Sequence, residues 1–161
     1  MFTDAVTKGL DKNVPMKESG VDWIGLALYL SGIHYLNPED ITEDIVIIKI
    51  NKSYSTTLSS LQLYDVTRGC WKRKIESVSV AEYALAVSFG TVVEVYRIDR
   101  WCTADKLNRE TIPYDPEIEK GRIGFFGSVA ETSVRNKYIG KSMKKFFKRG
   151  EADPVKVIRA V

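Results

Sequence analysis

Metal-binding side chains are scarce in this sequence. It holds one histidine, His34, and two cysteines, Cys70 and Cys102, in 161 residues. Three such residues at these spacings do not make a zinc site, so neither a metal centre nor a cofactor is expected. Each cysteine adjoins a tryptophan, in Cys70-Trp71 and Trp101-Cys102. Both read as reduced, half-buried thiols, which places the protein in the cytoplasm. A disulfide would require the two segments to meet in space. No stretch reaches the about 18 consecutive apolar residues of a membrane span. The longest apolar run, residues 23–30, also lacks a small-residue cleavage site of the secretory kind. There is no repeat, no low-complexity tract and no complete catalytic motif.

A hydrophobic content of 44% with 28% charged residues suits one globular domain with a core of ordinary size. Net charge is only +3, yet it is unevenly spread. Residues 1–44 hold three lysines against eight acids, a net −5, whereas residues 133–161 hold nine cations against two acids, a net +7. Polarity of this kind suggests a basic face for a polyanion and an acidic element elsewhere.

The most structured stretch is residues 72–101. Tyr83, Leu85, Val87 and Phe89 alternate with the small Ala84, Ala86 and Ser88, the pattern of a strand with one packed face. Gly90 suits the positive φ of a tight turn, so the chain from Val92 is expected to return antiparallel. Ahead of it, Ile45-Val46-Ile47-Ile48 is β-branched on both faces and reads as a central strand covered on both sides. Residues 51–54 leave the sheet as a polar strand end.

Residues 59–68 form a helix with Leu58, Leu61, Tyr64 and Val66 inward, closed by Gly69 as a left-handed cap. Residues 23–36, apolar nearly all round, read as a buried helix with His34 packed inside. Asn37-Pro38-Glu39-Asp40 starts a helical turn. Residues 103–121 are a long polar loop, either a mobile cover or plain surface. Residues 122–129 form a strand whose Gly124 and Gly127 permit a bulge or a close approach. A basic helix follows over 141–148 with Met143, Phe146 and Phe147 inward, then a last strand over 154–158.

Three resemblances bear on function. Gly140-Lys141-Ser142 echoes a phosphate loop, but position 135, where that motif needs glycine, is Arg135. Ile123-Gly124-Phe125-Phe126, Tyr138-Ile139-Gly140-Lys141-Ser142 and Arg149 are similar to the opening of a GIY-YIG nuclease. The first motif lacks its tyrosine, and Glu151 comes too soon to be the downstream metal-binding glutamate, so a degenerate relative is implied. In element order over residues 45–160 the chain resembles the PUA-like superfamily, with its ASCH and EVE groups. That resemblance rests on a hydrophobic strand, a helix ending at Gly69, a basic segment, and a hairpin running through Gly90-Thr91-Val92-Val93-Glu94-Val95. Gly69, Lys72 and Glu76 follow the order of residues in ASCH domains, with shifted spacing and no arginine after them. It implies a small mixed β-barrel that binds RNA or DNA, some members holding a base in an aromatic pocket.

The expected architecture is therefore α+β: a PUA-like small mixed β-barrel over residues 45–161, with a helical N-terminal extension over residues 1–44. The expected function is nucleic-acid binding, to RNA or to single-stranded or modified DNA, without chemistry of its own. Bases stack on aromatic faces while Lys and Arg follow the phosphates, and Arg68, Trp71, Lys72, Arg97, Arg100 and Trp101 are the residue types for one such cleft. The rival reading is a protein-interaction or inhibitor module. In that case the acidic, apolar N-terminal region docks a partner or a second copy through residues 22–36.

Overall fold

Isoleucine and valine are stiff at χ1 and sit well on a pleated surface, and a run of them at 45–48 needs cover on both sides. The structure is a computed structural model that describes residues 33–161, preceded by a ladder of β1 (Met16–Lys17) and β2 (Gly20–Val21). Within it β3 (Ile45–Lys49) pairs parallel with β4 (Tyr83–Ser88) and antiparallel with β7 (Val155–Ile158). β4 pairs antiparallel with β5 (Thr91–Thr103), and β5 with β6 (Ile123–Val129). The order is β6-β5-β4-β3-β7. Four α-helices accompany this sheet among the described residues: α1 (Ser60–Arg68), α2 (Ile75–Val78), α3 (Pro116–Glu119) and α4 (Thr132–Tyr138). The protein is a small α+β fold, and its sheet is open rather than closed into a barrel. Closure would need β6 and β7 to pair, and they stand at opposite ends of the order. No helix among the described residues is long and apolar enough to cross a membrane.

Both faces of the sheet are packed. Ile45, Ile47, Tyr83, Leu85 and Val87 join Leu36, Ile41, Val134, Tyr138 and Met143 in one cluster. On the other face Val46, Ile48, Ala84 and Ala86 join Val78, Phe125 and the α1 side chains Leu63, Tyr64 and Val66. The alternation read at 83–87 holds, but Phe89 lies beyond it in the turn, 75% exposed. Leu36 and Ile41 are fully part of the core, so its packing begins ahead of residue 45.

Ser59 caps α1 through a reciprocal pair, its hydroxyl accepting from Gln62 N–H (3.1 Å) while its own N–H donates to the Gln62 side chain (2.8 Å). Leu61 is exposed, contrary to expectation, and Asp65, Thr67 and Arg68 are buried instead. Gly69 is no left-handed cap either. Its φ of −177° is extended, and a Cβ there would lie 2.5 Å from Leu107 Cδ2, so close approach is what demands glycine.

The 103–121 loop is tied to α1. Asp65 accepts from Thr111 N–H (2.8 Å), from its hydroxyl (2.7 Å) and from Arg68 Nε (2.9 Å). Arg68 donates to the carbonyls of Leu107 and Asn108, both at 3.3 Å. Arg109 donates to Gly69 O (3.0 Å) and pairs with Glu119.

Two further expectations are corrected. The 141–148 helix does not form, because residues 140–143 give their backbone groups to the start of β5: Gly140 N to Val92 O, Val92 N to Lys141 O, Met143 N to Gly90 O, at 2.7–2.9 Å. Only a 3-10 turn, Lys144–Phe146, remains. Most of the expected 23–36 helix lies outside the described residues. Residues 33–36 are not helical, Tyr35 bridging Ser142, and His34 is exposed rather than core.

Burial by itself would raise the Asp65 carboxyl, but the Thr111 and Arg68 hydrogen bonds outweigh it, and the pKa is lowered. The contribution of this network is full above the ordinary aspartate value of about 4 and is lost as pH falls through the depressed folded value. Asp65→Ala leaves the Arg68 guanidinium buried without its counter-ion and is expected to cost about 3–5 kcal/mol in urea unfolding. It is also expected to flatten the acid limb of the stability curve.

Candidate functional site

The six residues expected to share one cleft fall in three places. Arg68 is 4% exposed, bonded to Asp65 and lying over the Tyr64 ring at 4.5 Å, so it is not available to a phosphate. Trp71 is half-buried. Its indole N–H donates to Thr67 O (2.8 Å), and its backbone exchanges two hydrogen bonds with Ile123 (2.8 and 3.0 Å). The ring lines one cleft, with Lys72 exposed beside it in sequence. Arg97, Arg100 and Trp101 line a separate pocket of about 410 Å³. There Arg97 donates to Tyr83 Oη (3.2 Å), Arg100 lies 4.2 Å from the Phe126 ring centre, and Trp101 packs on Phe125. The Trp101 indole N–H is the one buried side-chain polar atom without a hydrogen-bond partner among the described residues. The single cleft does not form because Asp65 turns Arg68 inward and the two tryptophans open onto different cavities.

The larger cleft, about 950 Å³, lies at the carboxyl ends of the parallel pair β3 and β4. Ligands of open sheets bind in that position. Lys49, Lys52, Arg122 and Lys144 line it with a single carboxylate, Glu151, which leaves +3. Glu151 accepts from Lys148 N–H and pairs with Lys156 (3.0 Å), contacts that hold its carboxyl below the usual range. Lys49 is committed to Glu151 O (2.9 Å) and sits 4.1 Å over the Phe147 ring. Lys52, Arg122 and Lys144 have no ion-pair partner among the described residues. Trp71, Phe89 and Phe147 supply aromatic surface to the same lining.

Phe89 is the unusual member. It and Gly90 hold φ of +46° and +85°, the two positive values of a type I′ hairpin turn. Asn-Gly or Asp-Gly ordinarily fills that turn, because a bulky side chain in the left-handed region is strained. The Asn51 carboxamide oxygen accepts from Phe89 N–H (2.7 Å) and ties the turn to the end of β3. Strained backbone of this kind gathers at ligand sites.

Neither thiol is poised for chemistry. Cys70 and Cys102 are unbridged and pack with Leu107, Ala104 and Phe126. Burial pushes the Cys70 thiol up to about 11 and that of Cys102 upward as well. Among the described residues no group of three or more His, Cys, Asp or Glu side chains is placed to hold a metal ion.

Of this cleft the sequence reading named only Trp71. Nothing in the sequence singles out Lys49, Arg122 or Lys144, Asn51 and Lys52 read only as a polar strand end, and Phe89 and Phe147 as packed side chains. One local signal was available: an aromatic residue at the turn position where Asn or Asp belongs.

Replacing Phe89 therefore separates strain from packing. Phe89→Asn removes a largely exposed ring and suits the left-handed backbone, so unfolding free energy is expected to rise by about 1 kcal/mol. Trp71→Ala is expected to lower it by roughly 3 kcal/mol. Thermal and urea unfolding of the two variants check this pair.

No family model, curated protein or solved structure matches this chain.

Proposed function

We propose that the protein binds single-stranded RNA or DNA in the larger cleft, without cutting it. The carrying observation is Phe89: an exposed aromatic ring held at positive φ on the rim of a cleft with a net charge of +3. Bases of any sequence stack on aromatic faces, and cations beside them follow the phosphates. Lys52, Arg122 and Lys144 supply that charge, and Phe89 and Trp71 the faces. Asn51, with its oxygen committed to Phe89 N–H, retains its NH₂ as a donor toward a base or a phosphate.

A PUA-like relationship belongs to this proposal. Its support is the order of β3, α1, a basic segment and the β4–β5 hairpin, together with a β5 long enough to serve two partners on one edge. The first half of that edge takes residues 140–143 and the second half takes β6. Two unbridged cysteines fit a reducing, cytoplasmic setting. The rival docking region, residues 22–36, lies almost wholly outside the described residues.

The test is binding of labelled single strands across a salt series. Three phosphate contacts predict a slope of log K against log salt of about −2. Lys144→Ala should reduce its magnitude by about 0.7. Phe89→Ala should weaken binding by about 1–3 kcal/mol and leave the slope alone. Absence of binding, or affinity indifferent to salt and to both substitutions, overturns the reading.

A further inference from the structure

Five consecutive residues of β5, from Arg97 to Trp101, line the smaller pocket. Beyond Arg97 β4 no longer pairs with β5, so this stretch keeps an open edge, while its side chains still alternate, Arg100 over Phe126 and Trp101 on Phe125. On the β6 side Ile98 faces Gly127 and Arg100 faces Phe126, leaving Asp99 as an extra, unpaired residue. At Gly127 a Cβ would sit 2.0 Å from the Arg97 carbonyl oxygen, so glycine is required beside this bulge. Bulges bend a strand, re-aim its side chains and recur next to functional sites.

The chemistry of this lining differs from that of the larger cleft. The lining holds Arg97 and Arg100 with Glu82 and Asp99 and so carries no net charge, and Arg97 also pairs with Glu131 (3.5 Å) outside it. The carboxylates of Glu82 and Asp99 have no hydrogen-bond or ion-pair partner among the described residues. A neutral lining gains little from a phosphate, whereas donors and acceptors side by side are what a base edge requires. Guanidinium groups donate to the O6 and N7 of guanine, and carboxylates accept from base N–H groups. Guanine presents both kinds of group, its N1–H and N2 amino donors lying next to O6. The two openings are close along the chain: Trp71 lines the larger and Ile75 the smaller. Four residues span at most about 14 Å, and the intervening Lys72 and Lys74 are exposed.

We propose that the bulge pocket reads one base, guanine, of the strand whose backbone lies in the larger cleft. This rests on the nucleic-acid reading above. Asp99 accepts from the guanine N–H groups, and the pocket arginines donate to O6 or N7.

The experiment measures binding of single-stranded eight-residue oligonucleotides, all uracil or thymine except for one central guanine, adenine, cytosine or inosine. RNA and DNA sets distinguish the two sources of the same base. The guanine oligonucleotide is expected to bind roughly 5- to 150-fold more tightly than the adenine one. Inosine, which lacks the N2 amino group, should fall between them. Asp99→Asn, with its fold checked by thermal unfolding, should abolish the guanine preference without changing the salt slope. Equal affinity for all four, preference for another base, or an Asp99→Asn loss that is the same for every oligonucleotide overturns the guanine pocket. If no oligonucleotide binds at all, the nucleic-acid reading itself falls.

Discussion

Asp65 and Arg68 stand one turn apart on α1, both closed off from solvent, and together they hold four hydrogen-bonding groups of the 107–111 segment. A buried ion pair of this kind is a poor source of net stability, since desolvation offsets the Coulomb attraction. Its effect is positional. With the loop fixed to α1, Arg109 reaches the Gly69 carbonyl, and the Trp71 backbone exchanges hydrogen bonds with Ile123. Trp71 and Arg122 thereby arrive on one wall of the larger cleft. The polar network inside the fold thus decides where an aromatic ring and a cation stand on its surface.

The two openings differ in physics as well as in place. The larger combines an excess of positive charge with three aromatic rings, a combination tolerant of sequence. The smaller is electrically balanced and lined by a bulged strand, which suits recognition of a particular hydrogen-bonding pattern. Each opening also carries a local irregularity. Phe89 occupies a left-handed position that favours asparagine or glycine, and Asp99 interrupts the pairing of β5. Two departures from local preference thus stand beside cavities, as expected where function competes with propensity.

The sequence by itself determined the strands. β-branched residues on both faces at 45–48, alternation at 83–87, and a glycine at position 90 are local facts with local consequences, and β3, β4 and the turn follow from them. The last strand, over residues 154–158, was legible for the same reason. Tertiary structure alone decided the remainder, because it turned on where partners lay. Residues 141–148 carry a helical pattern, yet the start of β5 took the backbone groups of residues 140–143. Arg68 looked like a surface cation until a neighbouring aspartate and a loop about 40 residues downstream claimed it. Trp71 and Trp101 shared a composition but not a cavity, and Lys52, Phe89, Arg122 and Lys144 shared a cavity with nothing in sequence to join them. Propensity acts over a few residues, whereas a cleft is assembled from segments whose separation along the chain carries no information about their distance in space.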